Sequence, residues 1–131
     1  MSFTKGALAV IIGVLVAGIV FLVCEQLNAT LYKLPAGMDM AALDRAMKQL
    51  PVNGYVLILS GFTAGSLLGG MAATLIAGRQ YVRPAIICGI ILTVGSLINF
   101  FQIWHPTWFA ITSFFCFIPC CYLGYLLVRR K

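Results

Sequence analysis

Acidic side chains are almost missing from this chain: Glu25, Asp39 and Asp44 are the three in 131 residues, and His105 is the one histidine. There is no Ser-His-Asp order, no H-E-x-x-H helix, no paired acidic motif and no glycine-rich phosphate loop. That leaves little material for hydrolytic, metal-assisted or nucleotide chemistry. Charge of either sign is scarce, at 9% of residues, whereas 62% are hydrophobic and the mean hydropathy is +1.03. A chain so poor in polar side chains cannot cover a water-soluble core, and its solvent is expected to be lipid. Cys24, Cys88, Cys116, Cys120 and Cys121 contain no C-x-x-C pair, and five is an odd number for a closed disulfide framework. Cys116 and Cys120 stand one helical turn apart, yet all but Cys24 lie deep in apolar sequence, where a thiol stays protonated and packs as a small apolar group. Neither a metal centre nor a cofactor is expected.

What the chain does have is four uncharged apolar runs, at 7–24, 55–78, 84–104 and 108–128. Each is near the ~20 residues that cross a bilayer as a helix. They predict an all-α, four-span bundle in a single integral membrane domain, with helices over 6–25, 54–78, 84–104 and 108–128. The first run is the shortest, about 27 Å long, and spans with little tilt. It is longer than a usual signal-peptide core and is followed by no A-x-A-like cleavage site, so it reads as a retained helix.

Threading four spans puts Lys5, Arg79, Arg83, Arg129, Arg130 and Lys131 on one side. On the other, Lys33, Arg45 and Lys48 are matched by Glu25, Asp39 and Asp44. The net charge of +6 therefore belongs to one face, which the positive-inside rule makes cytoplasmic, with both termini there. These cations sit singly or in pairs at helix ends with no soluble domain behind them. They suit anionic lipid head groups and exclude a nucleic-acid partner. Between the first two spans, Asp39 stands at an N-cap position, Met40, Leu43, Met47 and Leu50 share one helical face, and Pro51 closes the segment. Asp44 and Lys48 form an i,i+4 pair on its polar side. A short amphipathic extracytoplasmic helix over 40–50 is expected, lying on the membrane or capping the bundle, or else serving as a docking face for another protein.

Within the second span, Gly61, Gly65, Gly69, Ala73 and Ala77 recur every fourth residue, and Ser66, Gly70 and Thr74 form a second small face. Four-residue spacing keeps such positions on one side of a helix, where a neighbour can approach to backbone contact. Ala9, Gly13 and Ala17 repeat in the same way on the first span, Ala85, Gly89 and Thr93 on the third, and Thr112, Cys116, Cys120 and Gly124 on the fourth. The two faces of the second span predict two neighbouring helices or contact with another protomer. Pro119 predicts a kink in the fourth span.

Polar residues at membrane depth supply one candidate site. Glu25 stands at the expected outer end of the first span, with Asn28 just beyond it, while Asn99 and Gln102 step along the outer half of the third span towards His105. These five can share one depth beneath the amphipathic helix. A carboxylate facing an imidazole there would relay protons, hold a cation or bind a polar ligand. The bland reading has Glu25 reaching head groups while Asn99 and Gln102 bond between helices.

Glu25, Tyr32 with Pro35-Ala36-Gly37, Leu50-Pro51, the run Gly65-Ser66-Leu67-Leu68-Gly69-Gly70, Ala77-Gly78-Arg79, and Asn99 followed by His105-Pro106 and Trp108-Phe109 together resemble a family of small bacterial four-helix membrane proteins of uncharacterised function. The resemblance covers nearly the whole chain and implies a bacterial inner membrane and four spans, but no activity. In that family the acidic residue is often followed by a histidine and a run of prolines. Here Ala29 falls where the histidine would be and Pro35 stands alone, which weakens a metal-site reading built on Glu25. The expected role is structural or interactive, as a homo-oligomer or as an accessory subunit beside other membrane proteins. The alternative is a small transporter or channel for a proton, cation or polar solute, built on Glu25 and His105.

Overall fold

A computed structural model describes residues 2–32, 40–102 and 105–129, together with the backbone but not the side chains of Met40 and Leu43. Five helices follow in order: α1 Phe3–Tyr32, α2 Met40–Gln49, α3 Val52–Ala77, α4 Arg83–Gln102 and α5 Thr107–Val128. No strand occurs among the described residues. All but α2 are long and apolar enough to cross a membrane, so the chain is a four-span membrane protein.

Local chemistry sets most helix ends. The Ser2 hydroxyl accepts the Lys5 N–H at 3.1 Å and caps α1. Pro51 and Pro106, both extended, precede α3 and α5, where the fixed proline φ delivers the chain into a first turn. Gly78 stops α3 at φ 119°, a conformation that suits glycine, and its N–H returns to the Thr74 carbonyl at 2.9 Å. α5 runs through Pro119 as one helix.

One expected boundary is wrong. The first span continues past residue 25 to Tyr32, giving 30 residues, or about 45 Å at the α-helical rise. Glu25 therefore does not end it. Residues 26–32 hold neither proline nor glycine, and Asn28 is buried on the same side as Ala9, Gly13 and Ala17, so packing carries the helix onward.

Packing follows the glycines. α3 lies antiparallel to α1: a Cβ at Gly61 would stand 2.7 Å from the Cys24 side chain, one at Gly65 would enter the Phe21 ring, and one at Gly69 would sit 2.7 Å from the Gly13 carbonyl oxygen. Gly61, Gly65, Gly69, Ala73 and Ala77 are all buried, as the sequence stripe predicts. The second small face meets α5. There, Gly70 lies against the Cys121 backbone and Gly124 against the backbone of Leu67 and Met71. Both small faces of α3 are thus occupied within one chain. α4 completes the ring between α1 and α5, with Gly13 near the Cys88 sulfur and Gly89 near the Ile118 backbone. The helices run around the bundle as α1, α3, α5, α4, with α3 also touching α4. On the remaining diagonal, the rings of Phe21 and Phe117 approach to 6.1 Å.

The small face expected on the fourth span is corrected. Thr112 is exposed and Cys116 and Cys120 are half-buried, whereas Phe109, Ser113, Phe117, Cys121 and Gly124 point inward. The centre between four helices is too wide for small residues alone, and Phe117 fills it beside Phe21 and Phe62.

Candidate functional site

The end of the bundle away from the termini is closed by α2. Its polar side carries the Asp44–Lys48 pair, with Oδ2 and Nζ 3.3 Å apart. On the opposite side Met47 and Leu50 are buried against Tyr55 and Phe109, so the amphipathic segment caps the helices. Tyr55 reinforces this by donating its phenol to the Met47 carbonyl. A phenol removed from water needs such a partner, and the bond ties the lid to the first turn of α3. The Asp39 cap and the Pro35–Gly37 turn expected in the sequence lie outside the described residues, as do the side chains of Met40 and Leu43.

Beneath the lid the five expected polar residues occupy one end of the molecule but do not converge as a bonded group. α1 and α4 run parallel, and extending the Gly13–Cys88 register along them puts Asn99 and Gln102 near the height of Glu25 and Asn28. Glu25 is exposed on α1 and makes no hydrogen bond or ion pair with another described residue. Gln102 is exposed and Asn99 half-buried on α4. His105 turns to aromatic neighbours, stacked on Phe109 with ring centres 5.3 Å apart and tilted against Phe100 at 4.6 Å. The carboxylate–imidazole contact expected from the sequence is therefore not formed.

Asn28 differs from the other four. It is 1% exposed, and its Oδ1 has no hydrogen-bond partner. The hydroxyls of Ser66 on α3 and Ser96 on α4 are buried without partners as well. By contrast Thr74, Thr93 and Ser113 each return a hydrogen bond to the carbonyl four residues earlier, at 2.8 Å. An unpartnered buried polar atom costs about 1–3 kcal/mol, so these three are costly polar positions inside an otherwise apolar bundle.

Comparison with known proteins finds no matching family model, no matching curated protein and no matching solved structure. Chemistry must therefore be read from the side chains alone. Cys88 and Cys121 are both buried at the α4–α5 seam, all five thiols are free, and among the described residues no three His, Cys, Asp or Glu side chains cluster as metal ligands. Sequence reasoning missed Tyr55 and Phe109 as the floor beneath the lid. The available signal was the aromatic content at Phe100, Trp108 and Phe109, on either side of the turn at His105-Pro106, whose rings meet at this depth.

Proposed function

We propose that this chain is a structural or interaction protein of a bacterial inner membrane, acting as an accessory subunit of a larger membrane complex or as a self-associating bundle, with both termini cytoplasmic. The charge asymmetry between the two ends supports that orientation. The observation that carries the role is the overhang of α1. Beyond Glu25, which belongs near the head groups, the helix continues with Leu27 and Leu31 at 51% and 67% exposure. Large apolar side chains above a carboxylate have left the depth at which lipid would cover them, and a protein neighbour supplies the missing contact. Because both small faces of α3 are used inside the chain, association runs through this collar rather than through the glycine stripe.

Gentle affinity purification from native membranes followed by native mass spectrometry tests the reading. A fixed stoichiometry with other subunits or with a second copy is expected, and it should be lost in Leu27→Glu/Leu31→Glu with the bundle still folded. A bare monomer from native membranes, or unchanged partner recovery in that variant, refutes it.

One observation favours a second reading, a small transporter or channel for a proton, cation or polar solute. The buried, unpartnered Asn28 oxygen lies within a turn of Glu25 on α1 and can receive a donor or a cation. That reading requires a pH-dependent flux in proteoliposomes that Glu25→Gln abolishes, and absence of flux for every ion and solute tried counts against it.

A further inference from the structure

The seam between α1 and α4 opens into a groove at the end that carries the termini. Ala7, Val10 and Ile11 on α1 and Pro84 and Ile87 on α4 form apolar walls around a volume of about 430 Å3, with Arg83 at the rim. The two helices run parallel, so their N-termini lie together at the groove. Each brings the positive end of its dipole, α4 adds Arg83, and neither has an acidic residue in its first turn. Of the three acidic side chains of the chain, Glu25 falls late in α1, Asp39 in the segment between α1 and α2, and Asp44 on α2. Nothing acidic among the side chains of this end answers Arg83.

We propose that this groove is a binding site for one anionic phospholipid, with an acyl chain laid between α1 and α4 and the phosphate held by Arg83. The charge and the apolar floor together select the ligand. An arginine fork recognises phosphate oxygens in a pair, while a neutral or zwitterionic lipid fills the floor and leaves Arg83 without a counter-charge. A free phosphate satisfies the rim and leaves the floor uncovered. The site stands apart from the role proposed above, since a protein neighbour at Leu27 and Leu31 would meet the other end of α1.

The test is native mass spectrometry of the full chain, released from detergent after titration with phosphatidylglycerol or with phosphatidylcholine of the same acyl chains. One phosphatidylglycerol per chain should be retained in preference to phosphatidylcholine. Arg83→Gln should weaken that retention about fivefold, the effect expected for one cation near a lipid surface. Ala7→Phe, which fills the groove and keeps every charge, should weaken it as well. Circular dichroism checks that each variant is folded, and Arg83→Met replaces Arg83→Gln if the latter is not. Equal retention of the two lipids overturns the proposal, as does phosphatidylglycerol retention indifferent to both the charge and the groove variants. Binding of inorganic phosphate as tightly as the lipid also overturns it, because the floor would then contribute nothing. So does a photoreactive side chain at position 87 that captures protein rather than lipid in native membranes.

Discussion

The two sides of α1 teach opposite lessons about glycine in a membrane helix. Towards α3, Gly13 of α1 and Gly69 of α3 meet so closely that a Cβ on either would stand within 3.0 Å of the other's carbonyl oxygen. Towards α4 the contact closes at Gly13 and Cys88 but not further along. A Cβ on Gly18 of α1 or on Gly95 of α4 would have nothing within 4 Å, and both residues are exposed. A small residue therefore becomes a packing determinant only when a second backbone arrives. In lipid there is little hydrophobic drive to bring it, and stability must come from close dispersion contact along the sealed seams.

Substitutions at the α3–α5 seam should break this contrast most severely. Gly70 and Gly124 face backbone rather than the ends of flexible side chains, so neither neighbour can rotate away. Gly70→Leu and Gly124→Leu are each expected to cost 3 kcal/mol or more, beyond the usual ~1–3 kcal/mol for overpacking, and to prevent recovery of folded protein in bicelles. Normal yield and an unchanged unfolding midpoint for either would show that α3 and α5 are not in backbone contact.

A smaller effect is expected at the lid. Tyr55→Phe removes the donor to the Met47 carbonyl while keeping the ring against Phe109, and should cost about 1 kcal/mol. Its signature is local: amide exchange across α2 should speed up while α3 and α5 keep their protection. Uniform loss of protection would mean that α2 is part of the bundle's cooperative core rather than a cap on it.

Much of this was legible in the sequence, for identifiable reasons. Gly61, Gly65, Gly69, Ala73 and Ala77 announced a buried face because their four-residue period matches the helix, and Ser66, Gly70 and Thr74 announced a second neighbour. Met47 and Leu50 announced a lid because their spacing puts both on one side of a short polar helix. The end of α1 was not legible. A charge at Glu25 marks where hydrocarbon stops, but a helix stops where its backbone partners or its packing stop, and Asn28 continues the buried stripe. The inward side of α5 was misread because the four-residue period of Thr112, Cys116, Cys120 and Gly124 was taken as the packing signal, while the diagonal gap of the bundle required phenylalanines. Glu25 and His105 share an end of the molecule, as their positions in the sequence imply, but the imidazole lies against the rings of Phe100 and Phe109 rather than against the carboxylate.

The most direct test compares Gly69→Ala with Gly18→Ala, unfolded side by side in the same bicelles. Both add one methyl group and the same small gain in helix propensity, and they differ in what the methyl meets. Gly69→Ala should lose about 1–3 kcal/mol against the Gly13 carbonyl, whereas Gly18→Ala should hold its stability or gain up to about 1 kcal/mol. Equal losses at the two positions, or a loss at Gly18 alone, would contradict the assignment of α1–α3 as the sealed seam and of the α1–α4 face as the open one.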